Sequence, residues 1–131
     1  MKKRILAVLV CLFALSVTGV SVYAANLGSY SGNVGLIFQK KMEKESVSDS
    51  INGTYIRATT SIYSTFGFYQ SAVLGNGVTQ VSPAGEVDIN VNYWCGFWSG
   101  YSTVPGNSIM AYMRAKSPYF SDTITSCTWW Y

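Results

Sequence analysis

Residues 87–98 keep a period of two. Val87, Ile89, Val91, Tyr93, Cys95 and Phe97 occupy one set of alternate positions, and Asp88, Asn90, Asn92, Trp94, Gly96 and Trp98 the other. Successive side chains of a strand point to opposite faces, so the pattern predicts one long strand with the odd set turned to a core. The even set begins polar and ends in tryptophan. Residues 55–64 repeat the pattern. Ile56, Ala58, Thr60 and Ile62 share one face, and Tyr55, Arg57, Thr59, Ser61 and Tyr63 the other. Residues 66–74 and 78–81 read as the arms of a hairpin, because Gly75-Asn76-Gly77 between them tolerates positive φ. Further strands are expected over 34–39, 108–116 and 121–131. The stretch 108–116 contains good helix formers, but Pro105-Gly106 and Pro118 bracket it closely and its neighbours are strands. Residues 40–50 are dense in charge and read as a polar connection. The sum is about seven short strands separated by turns, the spacing of a small antiparallel β-sandwich, an all-β fold.

The N-terminus has a different pattern. Met1-Lys2-Lys3-Arg4 is followed by an apolar run over 5–15 and then by Val22-Tyr23-Ala24, a small-x-small cleavage site. This is the layout of a secretory signal peptide over 1–24; the apolar run is shorter than the roughly 20 residues of a bilayer span. A secreted protein is therefore expected, with no stable membrane span after cleavage, and the short signal fits a bacterium. Residues 25–33 are rich in Gly, Ser and Asn and are expected to form a flexible N-terminal segment. Residues 34–131 are expected to form a single β-sandwich domain.

Cleavage changes the charge and the cysteine count. The chain has nine Lys and Arg against six Asp and Glu, but three of the nine are Lys2, Lys3 and Arg4. What remains is neutral, and a nucleic-acid partner is not expected. Of three cysteines, Cys11 leaves with the signal. Cys95 and Cys127 are then expected to pair in an oxidising compartment. A bridge closing so long a loop would contribute about 3.5–4 kcal/mol.

Little catalytic chemistry is available. The chain has no His, which excludes Ser-His-Asp and Cys-His nucleophiles and most zinc sites. Glu86 and Asp88 read as a solvated strand start, and Asp88, Asn90 and Asn92 as the wet side of a sheet rather than a calcium site. The glycine runs lack the Lys of a phosphate loop. No catalytic residue, metal or cofactor is expected, and the chain does not read as an enzyme. What stands out is ring surface. Trp94, Trp98, Tyr101, Trp129 and Trp130 gather near the two cysteines, and a bridge would bring both clusters together. Some of these rings belong in a core. Trp129 and Trp130 are adjacent and so face opposite sides of their strand. An exposed aromatic patch on a secreted domain marks a contact surface. The expected function is a small non-catalytic binding protein whose partner is a cell-envelope glycan, a peptide or another secreted protein.

A signal segment, a Gly- and aromatic-rich all-β region and the aromatic end Thr128-Trp129-Trp130-Tyr131 give a plan that resembles the lactococcin-type β-sandwich bacteriocins. The resemblance is one of layout, without a shared motif; the cysteine pair and the lack of His depart from it. It implies an alternative function, a secreted toxin at the cell envelope or its accessory or immunity protein. A neutral chain lacks the net charge that draws such proteins to anionic lipid.

Overall fold

The computed structural model describes residues 25–131, and the expected signal peptide lies outside them. The described residues form strands β1 (Asn26–Ser29), β2 (Gly32–Gly35), β3 (Lys40–Lys44), β4 (Gly53–Thr60), β5 (Thr65–Leu74), β6 (Gly77–Gln80), β7 (Gly85–Asp88), β8 (Tyr93–Gly96), β9 (Ile109–Arg114) and β10 (Ser121–Trp130). They make two antiparallel five-stranded sheets. The first runs β1-β10-β4-β8, with β2 beside β1 on the same edge of β10; the second runs β3-β9-β5-β6, with β7 beside β6 on the same edge of β5. The all-β, two-sheet architecture expected from the alternation is what the chain adopts.

The core lies between the sheets. Ile56, Ala58, Ile124, Cys127 and Trp129 of the first meet Phe66, Phe68, Ile109, Ala111 and Met113 of the second. The period-two reading of β4 holds: Ile56 and Ala58 are buried while Tyr55 and Arg57 are exposed. The hairpin holds as well, with Gly75 at φ 61° in the turn between β5 and β6. Residues 109–114 are strand, as the neighbours suggested. The edge strand β3 exposes Lys40, Lys41, Glu43 and Lys44 to solvent, a charge pattern that discourages pairing with a further strand.

Four local expectations are corrected. Residues 25–33 contain β1 and part of β2, both paired with β10, rather than a flexible segment. Residues 34–39 are not one strand: β2 ends at Gly35 and the chain turns, leaving Ile37 and Phe38 exposed. The polar stretch after it begins as β3, because Met42 supplies one buried residue between charged neighbours. The long strand over 87–98 is broken into β7 and β8, which sit in different sheets. The break falls where Asn90 takes φ 62°, a left-handed conformation that Asn tolerates better than most residues.

The fifth correction is the disulfide. Cys95 and Cys127 are both free thiols. Both point inward, yet β4 lies between their strands, with Cys95 opposite Thr54 and Cys127 opposite Ala58. Two strand spacings sideways and four residues along β4 separate their Cα atoms by about 16 Å. A bridge needs less than about 7 Å. Pairing of the two thiols is therefore incompatible with this strand order.

Candidate functional site

The outer face of the first sheet carries a row of rings. Tyr55 on the central strand β4 is opposite Trp130 of β10 on one side and opposite Trp94 of β8 on the other. Residues directly opposite across antiparallel strands share a face, which puts the three side chains in line. Tyr55 stacks on Trp130 with centroids 5.6 Å apart and planes 16° from parallel, and meets Trp94 at 4.9 Å in a tilted arrangement. Trp130 is buried; Tyr55 and Trp94 keep open faces, with Trp94 48% exposed.

The seat of Trp94 is built from two glycines. Gly53 and Gly96 are opposite each other on β4 and β8. A Cβ on Gly53 would come within 2.4 Å of the Trp94 indole, and one on Gly96 within 3.2 Å of its ring nitrogen. The indole lies across the space that two missing side chains leave. Gly53→Ala is expected to push the ring off this seat, lowering stability by about 1–3 kcal/mol through overpacking. Tryptophan emission shifting to the red, with the near-ultraviolet dichroism of the Tyr55–Trp94 pair reduced, checks it; an unchanged spectrum counts against the seat.

Beside the platform, the edges of the two sheets leave a cleft of about 200 Å³. Its walls are Tyr93, Trp94, Cys95 and Gly96 of β8 on one side and Phe68, Ser82, Glu86 and Val87 on the other. The strands β7 and β8 each pair on one side only, so the cleft runs between two strand edges. The chain closes one end by crossing between sheets: Phe97 donates its N–H to the Asn52 carbonyl at 2.8 Å and Trp98 donates to the Val81 carbonyl at 2.7 Å. The Glu86 carboxylate at the mouth accepts a hydrogen bond from Thr65 Oγ1 at 2.8 Å. Burial pushes the Cys95 thiol up to about 12, so it is a neutral wall and not a nucleophile.

A buried polar relay supports the floor. The Trp129 indole N–H donates to Thr54 Oγ1 at 2.9 Å. The Thr54 hydroxyl donates in turn to Gln70 Oε1 of the facing sheet. Gln70 Nε2 donates to the Cys95 carbonyl at 3.1 Å, and the Gln70 backbone N–H to Ser82 Oγ at 2.8 Å. Both sheets and both walls of the cleft are thereby tied to one glutamine.

The five rings singled out in the sequence fall into three places. Trp94 and Trp130 are joined through Tyr55, whose outward position was legible but whose role as the link was not. Trp98 and Tyr101 form a second pair, with centroids 6.4 Å apart in the loop beyond β8 and both partly exposed. Trp129 has no accessible surface and belongs to the core. The local cue for the platform was a glycine directly opposite the glycine that follows an aromatic pair, which needs the strand pairing to be seen.

Fold and site together define a β-sandwich with an aromatic platform beside an edge cleft. No family model matches the chain, and neither a curated protein nor a solved structure matches it.

Proposed function

We propose that the chain acts outside the cell as a small non-catalytic binding protein, and that its ligand is a neutral glycan of the cell envelope. The observation that carries this reading is the Tyr55–Trp94 platform at the lip of the edge cleft. A half-exposed indole held flat on two glycines offers an apolar face to the C–H face of a sugar ring. Glu86 and the backbone edge of β8 stand within the cleft to meet hydroxyl groups. The cleft is smaller than a drug-sized pocket and suits a single ring unit of a longer polymer. Residues 25–131 hold six basic and six acidic side chains, so binding would rest on stacking and hydrogen bonds rather than on net charge.

The test is retention on insoluble peptidoglycan and on an array of neutral glycans. The protein is expected to bind, and Trp94→Ala to weaken binding about tenfold or more, as loss of a central aromatic anchor does. Full retention by a folded Trp94→Ala protein would sink the platform. Capture by immobilised peptides alone would replace the glycan with an extended chain pairing along β8.

A further inference from the structure

We propose that the platform continues into a donor subsite formed by Arg57 and Asn92, and that this subsite selects an N-acetylated sugar through the carbonyl oxygen of its acetamido group. The assignment rests on the glycan-binding role above and names the class of sugar within it. Arg57 is the next residue after Tyr55 on the outer face of β4, about 7 Å further along the strand. Asn92 directly precedes β8, whose pairing with β4 sets Tyr93 opposite Ile56 and Trp94 opposite Tyr55. It reaches Arg57 from the neighbouring strand as Trp94 reaches Tyr55. The Arg57 guanidinium donates from Nη1 to Asn92 Oδ1 at 3.2 Å, and both side chains are exposed.

That hydrogen bond decides which way the amide faces. Arginine carries donors only, so Asn92 turns its oxygen to Arg57 and keeps its NH2 group for a ligand. The remaining guanidinium N–H groups are donors too. Among the described residues Arg57 makes no ion pair; the pair that forms, Lys41 with Glu43, is on β3 of the other sheet. Its neighbours on the outer face are uncharged: Thr128 opposite it on β10, and Tyr55 and Thr59 on either side of it along β4. The Thr59 hydroxyl is already bonded to Ser126 Oγ at 2.8 Å, which closes the row beyond. Beside an open indole, the Arg57–Asn92 pair therefore offers mainly donors.

The acetamido group fits that array. A hydroxyl both donates and accepts, and half of its capacity finds no match here. An amide carbonyl accepts only, and one oxygen can take a hydrogen from Arg57 and another from Asn92. A carboxylate is best met by two parallel donors of one guanidinium, and Nη1 is turned to Asn92. The acetamido methyl has an apolar surface to rest on, the Tyr55 ring, which is 38% exposed. The donors are also held in place. Asn90 donates its N–H to the Ala58 carbonyl at 2.9 Å, so the chain is tied to β4 on both sides of Asn92. Groups fixed in advance lose little freedom on binding.

Titration calorimetry tests the subsite, using residues 25–131, which contain all ten strands. The ligands are chitotetraose, cellotetraose and fully deacetylated chitotetraose, which share one backbone and differ in the group beside the stacked ring. Chitotetraose is expected to bind at least about tenfold more tightly than cellotetraose, as a hydrogen bond to a charged group allows. The deacetylated tetramer sets an ammonium beside Arg57 and is expected to bind more weakly than either. Arg57→Ala and Asn92→Ala are each expected to bring chitotetraose toward the affinity of cellotetraose and to leave cellotetraose unchanged, whereas Trp94→Ala weakens both. Thermal unfolding establishes that each variant is folded. Equal affinity for chitotetraose and cellotetraose, or a preference that folded Arg57→Ala retains, overturns the subsite while the platform stands. Tighter binding of tetragalacturonate overturns it as well, since the guanidinium would then meet a carboxylate. Binding of none of these sugars removes the platform and the subsite together.

Discussion

Trp129→Ala is expected to lower the stability of the domain by about 3–5 kcal/mol, the range for deleting a large buried aromatic side chain. Trp129 is among the largest fully buried side chains, facing inward from β10 beside Ile56. Its loss also opens the relay through Thr54 and Gln70 that joins the two sheets. No buried side-chain polar atom among the described residues lacks a partner. The variant would take from the Thr54 hydroxyl its indole donor and leave it the bond to Gln70 alone, in a low-dielectric interior where each bond supports the next. A domain of this size commonly has about 5–15 kcal/mol in total, so the variant would sit at or near the edge of folding. Trp129→Phe separates the two contributions. It keeps most of the ring volume and removes the N–H donor, and is expected to cost about 1–3 kcal/mol. Urea unfolding of the three proteins measures both steps. A Trp129→Ala protein within about 1 kcal/mol of the parent would show that the cavity collapses and that the relay adds little.

Why the sequence led to a bridge that does not form, and left Tyr55 out of the cluster of rings, has one physical root. Alternation reports which residues share a face, and it did so correctly: Ile56 with Ala58, Tyr55 with Arg57, and Trp129 opposed to Trp130. It does not report which strands are neighbours. That β4 lies between β8 and β10 is a long-range fact, and it decides both questions together. It sets Cys95 and Cys127 apart, and it makes Tyr55 the link between Trp94 and Trp130. The turn at Gly75-Asn76-Gly77 was legible because its backbone requirement is local. The break near Asn90 was not, because the strand-forming odd residues from Val87 to Phe97 alternate straight through it and only Asn90 itself tolerates the left-handed turn. Residues 34–39 failed in another way. An apolar run argues for burial only while a partner surface exists, and at Ile37 and Phe38 the fold supplies none.

The two thiols make stability fall steeply in alkali. Desolvation by burial pushes Cys95 and Cys127 each from the ordinary 9.0 up to about 12. The neutral thiol is thus the form the folded state prefers, while the unfolded chain ionises at the ordinary value. Below pH 9.0 both states hold the proton and the full stability is present. Above it the unfolded state alone gives up protons, and stability is lost until the folded thiols ionise near pH 12. Each thiol contributes a slope of about 1.4 kcal/mol per pH unit, so the pair reaches nearly 3 kcal/mol per unit. Tyr131, raised by its hydrogen bond to Asp49, and Tyr30, raised by burial, act in the same direction at higher pH, and both are only partly buried. The C95A/C127A double variant isolates the thiols. Its stability, measured in urea from about pH 8 to pH 10.5, is expected to stay nearly flat where the parent declines. A parent that follows the variant in parallel, and instead loses stability on adding a reductant, would mean that the sulfurs are bonded to each other and that β4 does not separate β8 from β10.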